Sequence, residues 1–513
     1  MFRPTSQFAL TLAALALSDA SGLAQWNGHA SDPQHTAISA VPTLSLGGIR
    51  WSTSVDESNP SEPVLIHYGS PIITAANTIV VPVRQVGGNF RIDAHSASTG
   101  ALLWGATTDY ITPPSNGSWV PSFSPTLTPS GALYYQGRGG TVYRVDNPNA
   151  LSVAPVQLCF LPDYAANKAA YDSTVFISTP ITSDDAGNIY FGYEASAGAP
   201  GGLTSGIARI APNGTATYTS ANFASGIVGA TGLRVGTNSA PALSNDGSKL
   251  YVALQGTTDY LIAIDAATLA PQQHVTLTHG QIHDAGTSSP TVGPDGHVYF
   301  GVLRFDNHFR GMMEHFSADL SQTFAPGAFG WDITPSIIPA SMIPSYAGTS
   351  DYLLLTKYND YIGAGGSGIN KMAILDPNAT ETDPITGLTV MGEVLTIAGP
   401  TADPGAGGVR EWCVNTAAVD PFTKSILVNS EDGTLYRWDL TTNTFSQSIQ
   451  LDPVGVFEAY TPTAIGPDGA VYAINNARLY SVIPEPGSAF LLAVGAVTAA
   501  LRRRRFQQGH SRR

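Results

Sequence analysis

Ser289-Pro290-Thr291-Val292-Gly293-Pro294-Asp295-Gly296-His297-Val298-Tyr299-Phe300-Gly301 reads as two short strands and the turn between them. The Asp-Gly step supplies the positive φ of a tight hairpin. The flanking runs alternate apolar and small residues at period two, as buried strands do. The same phrase recurs along the chain. It appears as Ser70-Pro71 leading to Thr78-Ile79-Val80-Val81, and as Ser124-Pro125 with Ser130-Gly131 and Leu133-Tyr134-Tyr135. It returns as Thr179-Pro180 with Asp185-Ala186-Gly187-Asn188 and Ile189-Tyr190-Phe191-Gly192, and as Ala240-Pro241 with Asn245-Asp246-Gly247 and Leu250-Tyr251-Val252. A last clear copy joins Thr461-Pro462, Pro467-Asp468-Gly469 and Val471-Tyr472-Ala473.

A third strand often follows and ends in an acid, as in Val142-Tyr143-Arg144-Val145-Asp146, Leu261-Ile262-Ala263-Ile264-Asp265 and Leu435-Tyr436-Arg437-Trp438-Asp439. A fourth closes the unit, as in Thr99-Gly100-Ala101-Leu102-Leu103-Trp104. Three or four antiparallel strands per unit, repeating at about 50–60 residues, are the grammar of propeller blades. Two weaker copies fill the gaps. One joins Asp351 to Leu355 with Met372 to Asp376 and carries a glycine-rich insertion, Gly363 to Gly368. The other joins Thr416 to Val419, Ser425 to Val428 and the turn Glu431-Asp432-Gly433. The expectation is an all-β, eight-bladed β-propeller. Composition agrees: 12% charged residues with 53 Gly and 36 Pro suit short strands and turns better than long helices.

The small-Pro, apolar run, Asp-Gly, strand, Leu-Asp and Thr-Gly-x-x-x-Trp order resembles the PQQ-type repeat of quinoprotein-like propellers, and Gly100 to Trp104 fits it best. The opening stretch, Trp26-Asn27-Gly28 through His35-Thr36, also resembles the start of such proteins. The resemblance implies that the strand at Ile49-Arg50-Trp51 closes the ring beside the C-terminal blade and hides an open edge. It also raises a quinone cofactor, but the residues argue against PQQ. Family enzymes have a vicinal cysteine pair and a regular blade tryptophan. This chain has two distant cysteines and 7 Trp. The cofactor stays open, and fold analogy alone is a weak warrant for it.

The two ends read as sorting signals. Arg3, the apolar run Phe8 to Leu17 and Gly22-Leu23-Ala24 form a signal peptide over residues 1–24, with cleavage before Gln25. At the other end, Pro484-Glu485-Pro486, an apolar run from Gly487 to Leu501 and Arg502-Arg503-Arg504-Arg505 occupy 484–513. The apolar run is shorter than the ~20 residues of a comfortable span, and the arginines stop it at the cytoplasmic side. This tail resembles the PEP-CTERM sorting signal of Gram-negative bacteria. The resemblance implies transient inner-membrane association and removal by an exosortase-type protease. It also implies delivery to the periplasm, outer surface or extracellular matrix. Residues 25–483 are left as the propeller domain. With a net charge of -14, nucleic acid is excluded as a partner.

Candidate chemistry is sparse. Cys159 and Cys413 either pair in an oxidising compartment or stay as two buried thiols. His279, His283 and Asp284 form one polar group, and Asp306, His308, Glu314 and His315 another; both hold metal-ligand chemistry but no known spacing. Lys357 ends a strand, Glu411-Trp412-Cys413 and Glu431-Asp432-Gly433 flank one blade, and ionisable groups at strand ends face a propeller channel. Lys357, Glu411 and Glu431 are therefore the candidate ligand face, against the plainer reading of a lysine paired with an acid and a simple hairpin turn. The Gly363–Gly368 run is read as a flexible insertion. It is not a phosphate loop, since no Gly-Lys-Ser/Thr follows it. No Gly-x-Ser-x-Gly, His-Glu-x-x-His or calcium-loop pattern occurs. The reading leans to a binding or structural module for a glycan, matrix polymer or protein ligand. The alternative is a periplasmic oxidoreductase or hydrolase with its site at the channel mouth.

Overall fold

The protein is described by a computed structural model covering residues 26–57, 69–116, 122–283, 288–452 and 460–485. Eight antiparallel sheets succeed one another along the chain as blades of a propeller. Blade 1 spans 72–108, blade 2 126–159, blade 3 175–220 and blade 4 234–276. Blade 5 spans 291–316, blade 6 336–398, blade 7 418–450 and blade 8 464–483. The signal peptide, Asp284, Pro486 and Arg502 to Arg505 lie outside the described residues. Among the described residues, no helix is long and apolar enough to cross a membrane.

The blades other than blade 6 begin where the repeat phrase places them. Thr291-Val292 pairs antiparallel with Val298–Val302, and the turn between them is closed by Gly293 N–H to His297 O at 2.8 Å. Gly296 at its tip stands at φ +87° and Gly469 in blade 8 at +76°, backbone that a side chain would strain. The tyrosine of each second strand recurs at one register. Tyr134, Tyr190, Tyr251, Tyr299 and Tyr472 sit opposite Thr126, Thr182, Ala242, Thr291 and Ala464. All five are buried to 2% exposure or less, so they fill the wedges where neighbouring blades diverge. Tyr299 shows the linkage directly: its hydroxyl meets that of Tyr352 in blade 6 at 2.6 Å.

The ring closes as the resemblance implies. Gly48–Ser54 forms the outermost strand of blade 8, with Gly48 opposite Ile483 and Ser54 opposite Arg478. Trp51 then reaches blade 1: its Nε1 donates to Ala97 O at 2.7 Å and its ring stacks on His95. Pro484 and Glu485 leave this joint beside Gly47, where a Cβ would lie 2.4 Å from the Glu485 nitrogen.

The segment ahead of that strand has a second task. The innermost strand of a propeller blade turns a free edge to the channel, and its backbone groups need partners. Residues 26–37 supply them as a strap. Trp26 and Ile73 exchange both backbone bonds at 3.0 Å in blade 1. Leu127, Leu243, Val292, Ile337 and Val419 then donate to the carbonyls of Asn27, Pro33, Gln34, Thr36 and Ala37, at 2.7–3.0 Å. The strap thus visits the hairpin ends of successive inner strands and packs the axis there. It does so at a conformational cost, with Ala30, Ser31, His35 and Ala37 all at positive φ. His29 and His35 are buried in it, edge to face. His29 Nε2 meets Thr334 Oγ1 at 3.1 Å and His35 Nδ1 meets Pro290 O at 2.7 Å. Burial lowers the His29 pKa well below its usual value, helped by repulsion from His35; burial takes His35 down to about 4.

Three features differ from the sequence reading, and one choice that it left open, between paired and separate cysteines, is decided. Blade 6 starts at Ser336–Pro339, after an intact Thr334-Pro335, rather than at Asp351; a long turn, 340–351, replaces the Asp-Gly hairpin. Blade 5 has three strands, and Thr323 and Gly327 take the outer edge through single bridges to Phe316 and Met313. An eleven-residue helix, Tyr164–Thr174, lies between blades 2 and 3. Cys159 and Cys413 do not pair: both are free. Cys159 ends the outermost strand of blade 2 and Cys413 lies in the connection into blade 7, so different blades fix their positions. Each has a local partner instead, Gly140 O for Cys159 and the Tyr460 hydroxyl for Cys413.

Candidate functional site

In an antiparallel blade, the loops joining strands two to three and the connections to the next blade lie on one face. Lys357, Glu411 and Glu431 all come from that face, and the structure brings them together. Strand two of blade 6, Tyr352–Tyr358, carries Lys357 and runs on through Asn359 and Tyr361, which the period of two sets on one side. Asn359 acts as a clamp. Its Oδ1 accepts from Trp412 N–H at 2.9 Å and its Nδ2 donates to Trp412 O at 3.1 Å. Trp412 is 1% exposed, so Glu411 and Cys413 are held on either side of a fixed residue. Glu431 enters from blade 7. It belongs to a true turn, Ser430 N–H to Thr434 O with Gly433 at φ +79°, yet it is buried.

The resulting constellation is mixed in charge and chemistry. One donor atom each of Glu411, Cys413 and Glu431 lies within 4.8 Å of the others, the sole such grouping of three among the described residues. Cys413 is hydrogen-bonded to Glu431, and burial first, then the negative charges of Glu411 and Glu431, push its thiol well above the usual range. Tyr361 donates to Glu411; its phenol is likewise pushed up by burial and by that carboxylate. Lys357 follows the plainer reading: its Nζ lies 3.3 Å from Asp332 Oδ2, with both side chains buried. It also sits over the Tyr460 ring at 5.6 Å.

Beside this cluster a cleft of about 560 Å³ opens on the same face. Its lining includes Phe309, Tyr361, Ile362, Asp403, Val409 and Glu411. Phe309 and Ile362 are exposed, at 39% and 43%. The Asp403 carboxylate is held low by the N–H groups of Gly405 and Ala406 and by Arg410 at 3.6 Å. One wall is the glycine-rich insertion. It is fastened rather than loose, because Asp360 accepts from Ser367 N–H and Oγ at 2.7 Å and Val409 N–H donates to Gly368 O at 2.9 Å.

The two histidine groups separate into local pairs. His279 Nδ1 meets Glu314 Oε2 at 2.7 Å, while Glu314 Oε1 accepts from the N–H groups of Thr278 and His279. His308 Nδ1 meets Asp360 Oδ1 at 2.7 Å and so supports the cleft wall. Asp306 binds Arg304, His315 faces His297 at 2.8 Å, and His283 lies edge-on to Trp331. Among the described residues these side chains form local pairs, and no three of them gather as a metal site. Cys413, Asn359, Tyr361 and Tyr460 were missed as site residues. The Lys357-x-Asn359-x-Tyr361 alternation at a strand end was the signal available for two of them.

No family model matches the chain, and no curated protein matches it. Among solved structures, a europium-containing methanol dehydrogenase superposes with a TM-score of 0.55 at 11% identity, covering 88% of this chain and 89% of that one. The dihydro-heme d1 dehydrogenase NirN gives 0.48 at 13% identity, covering 86% and 81%. BamB from Moraxella catarrhalis gives 0.43 at 10%, covering 85% and 97%. The first of these likenesses bears on fold alone: the chain is an eight-bladed β-propeller. The cysteine pair that the resemblance associates with a quinone has no counterpart here, since Cys159 and Cys413 stand in different parts of the ring. The residues present do not fit that group, and no step is derived through it.

Proposed function

We propose that this chain is an exported propeller that works as a binding module, taking a neutral glycan segment of a surface or matrix polymer in the cleft between blades 6 and 7. The observation that carries this is the cleft itself. It has the size of a ligand pocket, with apolar side chains presented to solvent beside two carboxylates and a wall of small residues. Phe309 and Ile362 offer flat apolar contact to sugar C–H faces, and Glu411, Asp403 and backbone groups offer hydrogen bonds to hydroxyls. The acidic lining disfavours polyanions. Titration of the full chain with neutral oligosaccharides tests the reading. Phe309→Ala should weaken binding about ten-fold, the ~1.4 kcal/mol of one lost ring contact. Absence of any saccharide binding, or an unchanged affinity in the variant, overturns it.

The ends of the chain add a delivery route. The leader exports it, and the Pro-Glu-Pro, apolar and arginine tail holds it at the inner membrane until an exosortase-type protease removes the tail. Intact mass of the protein recovered outside the inner membrane tests this; a tail still present there contradicts it. A second reading, an exported enzyme working at the same mouth, is favoured by one observation, the convergence of Glu411, Cys413 and Glu431.

A further inference from the structure

We propose that Glu411, Cys413 and Glu431 bind a single thiophilic divalent transition ion of the zinc type at the inner end of the cleft. Three chain segments have to meet for this grouping to exist. Cys413 and Glu411 come from the connection into blade 7, pinned through Trp412 by Asn359 of blade 6, and Glu431 comes from a hairpin turn of blade 7. Two of the three donors, Cys413 at 1% and Glu431 at 4% exposure, are withdrawn from water. A hairpin turn ordinarily keeps its acid in solvent, and here it directs the carboxylate inward onto a thiol. Burying a carboxylate beside a thiol and a second carboxylate is costly unless a cation shares the space. The cation already there is Lys357, whose Nζ lies 3.3 Å from Asp332 Oδ2, so one ammonium stands against the carboxylates of Asp332, Glu411 and Glu431.

The donor set selects the ion. Calcium and magnesium take oxygen ligands alone, whereas a thiolate selects zinc and its softer neighbours. On a tetrahedral zinc, with bonds of about 2.0–2.3 Å, ligand atoms stand about 3.5 Å apart. The present separations, within 4.8 Å, close to that value by side-chain rotation of about an ångström. Loading replaces a proton: the Cys413 S–H bond breaks, the sulfur lone pair binds the ion, and the proton leaves to solvent. Three protein ligands leave a fourth position, and the Tyr361 hydroxyl and the cleft both adjoin Glu411 on that side. Three ligands with one open position facing a cleft is the arrangement of a zinc that meets a substrate or a water, not that of a closed structural site. This inference does not depend on what the cleft binds.

The test uses the full chain, stripped with chelator and dialysed against zinc alone, with Co²⁺ as a spectroscopic substitute. One zinc per chain is expected. With Co²⁺, a sulfur-to-metal charge-transfer band in the near ultraviolet is expected, kept in Cys159→Ser and lost in Cys413→Ser. Glu431→Gln should weaken zinc binding by more than the about 10–100-fold that losing an outer hydrogen-bond partner costs. Should Cys413→Ser fail to fold, Glu411→Gln, at the half-exposed edge of the site, carries the same test on affinity. Zinc content no higher than in the variants, or a Co²⁺ complex without the sulfur band, overturns the proposal. Saccharide titration of the metal-free protein keeps the two readings apart: zinc binding without saccharide binding sinks the glycan module alone, and the converse sinks the metal site alone.

Discussion

The strap across the axis should loosen in acid, and His35 sets by how much. Its ring is 1% exposed, donates from Nδ1 to Pro290 O, and titrates at about 4 because burial disfavours the charged form. Once the strap lifts, the same imidazole is solvated and titrates at about 6.5. A folded pKa below the unfolded one gives stability that is complete above 6.5 and lost as pH falls towards 4. Between pH 8 and pH 5 the linkage relation gives a factor of about 30 in the opening equilibrium, about 2 kcal/mol. Hydrogen exchange reads this locally, since the amides of Val292, Ile337 and Val419 donate to strap carbonyls. Two neighbours also titrate. His29 is lowered and acts in the same sense, whereas Asp32 is raised by burial and gains protons on closing as pH falls. The comparison is therefore with His35→Gln, whose amide still donates to Pro290 O and whose backbone strain does not vary with pH. Relative to that variant, protection of the three amides, corrected for intrinsic rate, should fall about 30-fold on going from pH 8 to pH 5. Equal pH dependence in the two proteins would show that His35 is not held neutral, and would refute the linkage.

Two further predictions concern the frame that holds the site. Arg310 and Asp383 form an ion pair at 2.9 Å with both side chains 1% exposed, and the guanidinium also lies over the Phe329 and Tyr358 rings. Asp383→Ala leaves that charge buried without its carboxylate and should cost about 3–5 kcal/mol in denaturant unfolding; a loss below about 1 kcal/mol would contradict the burial seen here. Gly100 stands at φ +71° with its missing Cβ 2.7 Å from the Trp51 ring, so Gly100→Ala both strains the turn and pushes on the closing strand. It should destabilise by about 1–3 kcal/mol, with the Trp51 fluorescence changed, and neutral behaviour would mean the ring joint is looser than described.

The blades were legible because each one repeats a local rule. A proline after a small residue, an Asp-Gly or Asn-Asp-Gly step and an alternating aromatic strand specify a hairpin without reference to distant parts of the chain. Where a turn grew longer the rule was hidden, which is why blade 6 was read from Asp351 although Thr334-Pro335 opens it. The helix Tyr164–Thr174 was missed for the opposite reason: it carries a weak apolar stripe, buries only Tyr171, and is held by polar contacts such as Tyr171 to Asp163 at 2.8 Å. Lys357, Glu411 and Glu431 were singled out because strand ends on one face of a propeller lie at one mouth. What joins them was not legible. Asn359 meets Trp412 across 53 positions, and no spacing rule connects a strand end in one blade with the approach to the next. The cysteines show the same limit, since two distant thiols permit a bond that only placement in the ring can deny.

The strap also commits one side of the axis. Its carbonyls take N–H groups of inner strands in blades 1, 2, 4, 5, 6 and 7, all at the hairpin ends, so that side of the axis is committed to backbone pairing. A ligand entering there would have to break several of these bonds and leave buried amides without partners, at about 1–3 kcal/mol for each. Among the described residues of the opposite face, the loops around the cleft are held by side chains as well as backbone, Asn359 on Trp412, Asp360 on Ser367, Tyr361 on Glu411, and these side chains can rearrange one at a time. Cleft, carboxylates and thiol all stand on that face. The repeat therefore builds a ring with two faces: residues 26–37 pair with inner-strand backbone on one, and the cleft, Glu411, Cys413 and Glu431 stand on the other, where blades 6 and 7 meet.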